Sequence, residues 1–265
     1  MTNLQTDHLV LNSVVLDLDG VLWIRGSPGL GAAAFLDSLR RENFPFCILT
    51  NDCSVSKVYR QKALAQAGLI LNAEQLVTAV EVTRDWLRDN AVNTIMYLGA
   101  PGALTDLTEE FCVREVTPVD AVVVGDLFAH FDRGSIDGAA KAISQGAILV
   151  AMQRNQRWSD GIDWHVDNGF WVAGFEYVTG KKAIVTGKPY RTAYQSALSR
   201  LGLAVHTPSN TFFVSDDIAS DLRGAKDVGL KTVYFGSQDT FPPWVDYAVG
   251  DFSSLASLLI GGNHE

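Results

Sequence analysis

The chain has 265 residues, a formal net charge of −9, and 47% hydrophobic against 19% charged residues. That is enough chain for one large domain or two small ones around a sizeable core, and too apolar a composition for a disordered protein. The acidic balance, with no Lys/Arg stripe, excludes a nucleic-acid footprint; no apolar run is long enough to cross a bilayer; and Cys47, Cys53 and Cys112 fit neither a disulfide framework nor a zinc site.

In chain order, Met1 to His8 is polar, with neither a basic start nor an apolar h-region, so the expectation is an unsecreted protein of the reducing cytoplasm. Ser13 to Leu16 reads as a buried strand that meets Asp17, and its helix follows Gly29 with Phe35, Leu36 and Leu39 at core spacing. Phe46 to Leu49 is a second strand ending at Thr50-Asn51. The next helix starts near Ser54 or Ser56 and stops at Gly68. A middle section alternates by itself: strands at Thr94–Leu98, Ala121–Val124 and Ala147–Ala151, helices at Glu74–Arg88, Ile136–Ser144 and Phe170–Val178. Thr211 to Val214 is a strand that stops at Ser215-Asp216-Asp217. A helix with Leu222 and Ala225 on one face comes next, then a strand from Lys231 to Tyr234. Strands alternating with helices predict an α/β fold with a parallel sheet. The alternation divides the chain into a core of residues 1–78 and 184–265 and an insertion of residues 79–183.

Four segments carry chemistry at strand ends, where open parallel sheets place ligands. In Asp17-Leu18-Asp19-Gly20, two acids follow a buried strand, and Gly20 lets the backbone turn away. One such carboxylate can attack an electrophile or bind a hard cation, and a second can move a proton; the plainer reading is an Asp/Gly turn. Thr50-Asn51-Asp52 offers a hydroxyl and backbone N–H groups to an anionic oxygen, although alone it reads better as a helix start rich in capping residues. Gly187-Lys188-Pro189 places a lysine near a helix amino terminus, against the dipole preference, with Pro189 suited to the first helical position. In Ser215-Asp216-Asp217-Ile218-Ala219-Ser220-Asp221, three carboxylates repel one another unless a cation gathers them. Two other features read less sharply. Gly29 to Ala34 meets a dinucleotide glycine fingerprint, but stands too far from its strand and reads better as a helix entry with small packing residues. Trp158, Trp164 and Trp171 serve equally as an apolar substrate wall, as core or as dimer contact.

Taken together and in this order, these four segments resemble the haloacid dehalogenase superfamily of aspartyl phosphotransferases. The insertion resembles the α/β cap of the NagD and 4-nitrophenyl phosphatase subgroup. Ala121 to Gln145 and Ala147 to Lys188 are most similar to the branch with phospholysine phosphohistidine inorganic pyrophosphate phosphatase. The resemblance implies a Rossmann-like parallel core with an inserted cap, and a Mg²⁺-dependent phosphatase of a small phosphorylated metabolite. Asp17 would be the nucleophile, and Asp19 would protonate the leaving oxygen and then activate water. Mg²⁺ would be held by Asp17, the Asp19 carbonyl and Asp216, with Asp217 and Asp221 around it. Thr50, the Asn51 backbone and Lys188 would hold the phosphoryl oxygens. It implies further a homodimer through the cap, with no nucleic-acid or membrane partner.

Asp19 is expected to stay protonated before turnover through the neighbouring charge of Asp17 and partial burial. Ser215 stands where the family usually has Gly, and Asp52 where a second Asn is common. In the cap, Gln153-Arg154-Asn155 replaces an Asn-Pro-Asp, which makes these three the candidate specificity residues. Arg154 and Arg157 are candidates to meet a second acidic group on the substrate. Two rival functions remain: a phospho-ligand or regulatory module without efficient turnover, using the same acids and lysine, and an NAD(P)-dependent oxidoreductase built on the glycine run.

Overall fold

The computed structural model describes residues 13–127, 132–159, 162–203, 210–238 and 240–261; the reading of Met1 to His8 falls outside them. β1 (Ser13–Asp17) is buried throughout, and a hairpin of β2 (Trp23–Ile24) and β3 (Ser27–Pro28) leads to α1 (Ala32–Arg41). Ala32, Phe35, Leu36 and Leu39 form the buried stripe of α1 at helical spacing. β4 (Phe46–Thr50), α2 (Lys57–Gln66), β5 (Leu76–Thr78) and α3 (Ala79–Asp89) follow. Ser56, rather than Ser54, caps α2 by accepting the Tyr59 N–H. Gly68 closes it with φ of +90°.

The middle section is β6 (Thr94–Leu98), α4 (Pro101–Thr108), β7 (Cys112–Val113), β8 (Ala121–Val124), α5 (Arg133–Ser144), β9 (Ile148–Ala151), β10 (Arg157–Ser159), β11 (Trp164–Val166), α6 (Asn168–Thr179) and β12 (Ile184–Val185). α7 (Arg191–Arg200) and β13 (Thr211–Ser215) come next, then a π-helical turn at Ile218–Leu222 that runs into α8 (Arg223–Asp227). β14 (Lys231–Phe235), β15 (Tyr247–Val249) and α9 (Phe252–Ile260) end the described chain.

Six strands form one parallel sheet in the order β15-β14-β13-β1-β4-β5, and five form a second in the order β12-β9-β8-β6-β7. The fold is α/β, as expected. Alternation along β1 sends Val14 and Leu16 to one face, against α1 and α9, and Val15 to the other, against α7. The second sheet is covered by α3 and α4 on one face and by α5 and α6 on the other. Each fully buried Leu or Val in these layers contributes about 1.5–3 kcal/mol. In the first sheet the chain order reverses at β1, whose neighbours are β4 on one side and β13 on the other. A crevice opens at the strand carboxyl ends at such a reversal.

Three local expectations need correction. Glu74–Arg88 is not one helix: Leu76–Thr78 is a buried strand beside β4, and the helix starts at Ala79, where the Thr78 hydroxyl accepts the Glu81 N–H. β-Branched Val77 and Thr78 fit a buried sheet edge, and the cap resets the chain to a helix. Pro189 does not open α7. It lies in a turn, with the Tyr190 N–H donating to the Gly187 carbonyl, and α7 begins at Arg191. Lys188 is therefore placed by that turn, not by a helix dipole. Trp158 and Trp164 lie on the exposed β10–β11 hairpin and line no core, whereas Trp171 packs beside the second sheet. Gly29 to Ala34 forms the entry to α1 after the β2–β3 hairpin, with Gly31 at φ +89°, as its better reading had it. Among the described residues no helix is long and apolar enough to cross a membrane.

Candidate active site

The register of the first sheet brings the motifs together. Leu16 lies opposite Val214, and Asp17 opposite Leu49, so Asp17, Thr50 and Ser215 emerge side by side at the carboxyl ends of β1, β4 and β13. Lys188 arrives 171 residues later in sequence, from the turn after β12, and is 3% exposed. Its Nζ stands 2.5 Å from Asp17 Oδ1 and 2.5 Å from Asp221 Oδ2. A buried ion costs several kcal/mol unless it is paired and hydrogen-bonded, and these groups satisfy one another. The Leu18 N–H donates to Asp17 Oδ1 at 2.8 Å, and the Ser215 hydroxyl donates to Asp17 Oδ2 at 3.0 Å. Tyr194 fixes the main chain of Asp221 by donating its hydroxyl to that carbonyl at 2.7 Å.

Gly20 is required twice over. Its φ is +86°, and a methyl group on its Cα would fall 2.2 Å from Asp216 Oδ2. The turn after Asp19 thus lies against the carboxylate of Asp216, which makes no ion pair among the described residues.

Burial alone pulls the Lys188 pKa down, but Asp17 and Asp221 more than offset it and hold the ammonium charged. Burial raises Asp17, with Lys188 opposing. It raises Asp221 to about 7, with Lys188 again opposing and Asp17 adding to the rise. Asp216, although exposed, is raised by partial desolvation of its carboxyl as well. Although Asp19 is an exposed residue, its carboxyl is raised first by partial loss of water at the strand end and then by Asp52, with Arg60 and Lys188 opposing. The direction expected for Asp19 is present, but its main charged neighbour is Asp52, not Asp17. The repulsion between Asp17 and Asp19 contributes to the rise at Asp17.

The remaining expected residues divide. The Thr50 hydroxyl donates to Asp19 Oδ2 at 3.3 Å and accepts the Asp52 N–H at 3.0 Å. Asp52 is held by Arg60 Nε at 2.6 Å and by Ser54, whose N–H and hydroxyl both donate to it. Asp217 faces solvent and caps the π-helical turn, accepting the Ser220 N–H at 2.9 Å. Asn155 reaches the site loop, where its Oδ1 accepts from Asn51 Nδ2 at 3.2 Å. Gln153 is buried and turned to Asp167, its Nε2 donating at 2.6 Å. Arg154 donates from both terminal nitrogens to Glu176, at 3.3 and 2.8 Å, so its charge is met inside the second lobe, the part of the chain built on the second sheet. Arg157 lies on the exposed hairpin. The Ser215 hydroxyl, the Asn51 side chain and Glu176 are participants that the motifs did not reveal. Glu176 did leave a signal, as a lone acid in the apolar run Phe170 to Val178.

Among the described residues no three His, Cys, Asp or Glu side chains group closely enough to hold a metal by themselves. The implied set uses fewer side chains: two carboxylates, Asp17 and Asp216, and the Asp19 carbonyl. Those are hard oxygen donors, and Asp216 lies unpaired against the turn that carries Asp19, so the residues present fit a hard divalent cation.

A model of the haloacid dehalogenase-like hydrolases matches residues 14–110, and a HAD-hydrolase-like model matches residues 185–249. The chain is 28% identical over 221 residues to haloacid dehalogenase-like hydrolase domain-containing protein 2 of Rattus norvegicus, covering 83% of this chain and 82% of that one. It is 26% identical over 226 residues to ribonucleotide monophosphatase NagD of Escherichia coli K12, covering 85% and 87%. The p-nitrophenyl phosphatase of Archaeoglobus fulgidus superposes with a TM-score of 0.85 at 18% identity, over 94% of this chain and 99% of that one. With both flanks of the first sheet matched by models of one family, the chain belongs to the haloacid dehalogenase-like hydrolases.

Proposed function

We propose that the chain is a Mg²⁺-dependent phosphatase of a small phosphorylated metabolite, working in the cytoplasm through an aspartyl-phosphate on Asp17. The observation that carries this reading is the placement of Asp17, buried at the end of β1, beside the Lys188 ammonium at 2.5 Å. Asp17 attacks phosphorus, the bond from phosphorus to the leaving oxygen breaks, and Asp19 gives that oxygen its proton. Asp19, now a carboxylate, takes a proton from water; the resulting hydroxide attacks phosphorus and frees Asp17 and inorganic phosphate. Lys188 and Thr50 hold the phosphoryl oxygens, and their charge and hydrogen bonds act most strongly as negative charge builds. Mg²⁺, held by Asp17, the Asp19 carbonyl and Asp216, would supply charge neutralisation at the phosphoryl group.

The raised pKa of Asp19 supports its role as an acid and weighs against a phosphoacceptor without turnover, which needs no second proton carrier. Since Glu176 engages Arg154, this reading gives that arginine no second acidic group to bind, and leaves Asn155 as the specificity candidate nearest the site loop. The names of the relatives, a ribonucleotide monophosphatase and a p-nitrophenyl phosphatase, support a small phosphate ester as substrate. Self-association through the second lobe belongs to the same reading, supported by Phe170, Tyr177 and Val178, exposed on one face of α6.

The test is phosphate release from a panel of phosphorylated metabolites, pyrophosphate and 4-nitrophenyl phosphate, with and without Mg²⁺. Release by the wild type that needs Mg²⁺ and is lost in Asp17→Asn is the expected outcome. Equal release from both proteins would exclude the covalent route.

A further inference from the structure

We infer that Asn51 is a positioning residue whose side-chain amide ties the main chain of Lys188 to the loop after β9, so that the seating of the second lobe sets the placement of the lysine. The inference deepens the phosphatase reading and rests on it for what Lys188 does.

A primary amide has one oxygen acceptor and two N–H donors, and Asn51 uses all of them across the molecule. Its Oδ1 accepts the Lys188 N–H at 2.8 Å, and its Nδ2 donates to the Lys188 carbonyl at 3.0 Å. The other Nδ2 hydrogen goes to Asn155 Oδ1 at 3.2 Å. The partners are 137 and 104 residues away in sequence, so this one side chain joins the loop after β4, the return from the second lobe and the loop after β9. Both peptide groups of Lys188 are thereby fixed to the loop that follows the strand beside Asp17.

Gly187 is what lets these segments meet. A Cβ there would lie 2.7 Å from Asn51 Oδ1 and 2.4 Å from the Met152 carbonyl oxygen, so backbone packs on the amide from one side and on the second lobe from the other. The Asn155 loop is itself braced. The Asn155 N–H donates to Gln153 Oε1 at 2.5 Å, its carbonyl accepts the Gly169 N–H at 2.8 Å, and Arg154 is held by Glu176. A shift of the second lobe therefore carries Asn155 with it instead of being absorbed by a loose loop. The joint is not needed merely to hold the two crossings together. Thr83 and Thr186 already share a buried hydrogen bond at 2.7 Å.

Lys188 tolerates little displacement, with two carboxylate oxygens at 2.5 Å from its Nζ. A misplacement of 1 Å from a change away from the chemistry can cost about 10²-fold in rate. Asn51 thus does more than present its backbone to the phosphoryl group: it reports the seat of the second lobe to the lysine.

The experiment compares Asn51→Ala, Asn155→Ala and the double variant, reading amide hydrogen exchange at Lys188 and kcat on 4-nitrophenyl phosphate with Mg²⁺. Asn51→Ala removes both bonds to Lys188 and is expected to speed exchange at its amide and to lower kcat by about 10–10²-fold with a smaller change in KM. Asn155→Ala leaves both of those bonds in place, yet is expected to speed the same amide and to lower kcat by about 3–10-fold. The double variant is expected to be no slower than Asn51→Ala. Unchanged exchange at Lys188 in Asn155→Ala, or losses that multiply in the double variant, would overturn the inference. Asn155→Ala decides the matter alone if Asn51→Ala does not fold. A wild type that releases no phosphate counts against the phosphatase reading only, because exchange at Lys188 still decides the coupling.

Discussion

The Ser215 hydroxyl is fully buried and has one proton for two carboxylates, Asp17 Oδ2 at 3.0 Å and Asp221 Oδ2 at 3.4 Å. Its oxygen also accepts the Asp217 N–H at 3.1 Å. In the sequence it reads only as a residue standing where relatives carry Gly; nothing local shows that its side chain meets one 198 residues away. Ser215→Ala removes the acceptor of the Asp217 N–H and leaves Lys188 as the shared side-chain donor between the two carboxylates. Urea denaturation is expected to show a loss of about 1–3 kcal/mol, and no loss would mean that the hydroxyl bonds carry nothing. Asp19 makes a prediction in pH. Its pKa is raised, so the acid form needed to protonate a leaving oxygen persists above the usual carboxylate range and is lost as pH rises through the folded value. The rate on an alkyl phosphate is expected to fall along an alkaline limb that Asp19→Asn removes. A limb that survives in Asp19→Asn would assign it to another group.

Between elements, the largest unannounced feature is the charge cluster around Glu81 in α3. Lys57 Nζ donates to both of its carboxylate oxygens at 2.9 Å, and Arg200 Nη2 donates to Oε1 at 2.7 Å. The cluster joins α2, α3 and α7, and so fixes the helix that follows β5 against the one that follows the Lys188 turn. Glu81 is buried while Lys57 and Arg200 keep access to water, and Arg200 also pairs with Glu74, so Glu81→Ala is expected to cost about 1–3 kcal/mol in thermal or denaturant unfolding. A change within measurement error would make the cluster a surface network. Helix periodicity could not reveal it, because Glu81 satisfies the stripe of α3 whether or not Arg200 lies opposite. The same limit explains the misread span at Glu74–Arg88. Its acids and aliphatics suit a helix locally, and only pairing with β4 selects the strand Leu76–Thr78. The π-helical turn at Ile218–Leu222 was likewise hidden, although Leu222 at its end and Ala225 in α8 are both buried, as the shared face predicts.

Across the whole molecule, the strand ends were legible because burial and chemistry alternate abruptly there: apolar runs stop at Asp17, Thr50 and Ser215. Their convergence followed from the parallel order, which needs no knowledge of side-chain contacts. What stayed hidden were links between distant segments, such as Asn51 to Asn155 and Thr83 to Thr186, since each pair lies more than a hundred residues apart in sequence. Arg154 shows the cost of reading a loop without its neighbours: its charge looked available until α6 supplied Glu176. The apolar face of α6 makes a prediction at this scale. Tyr177, 90% exposed beside Val178, is large enough to anchor a self-contact. Tyr177→Glu is expected to shift the sedimentation coefficient from dimer to monomer. A wild type that sediments as a monomer would leave this face without that role.

The proposed role of Asp17 as nucleophile can be tested by trapping. In Asp19→Asn, 4-nitrophenyl phosphate still supplies a leaving group that departs without a proton, while water lacks its base. Acid-quenched peptide mass spectrometry with Mg²⁺ present is therefore expected to find one added phosphoryl group on the peptide that carries Asp17, and none in Asp17→Asn. An unmodified Asp17 peptide in a variant that still releases nitrophenol, or an adduct on a different residue, would contradict the account.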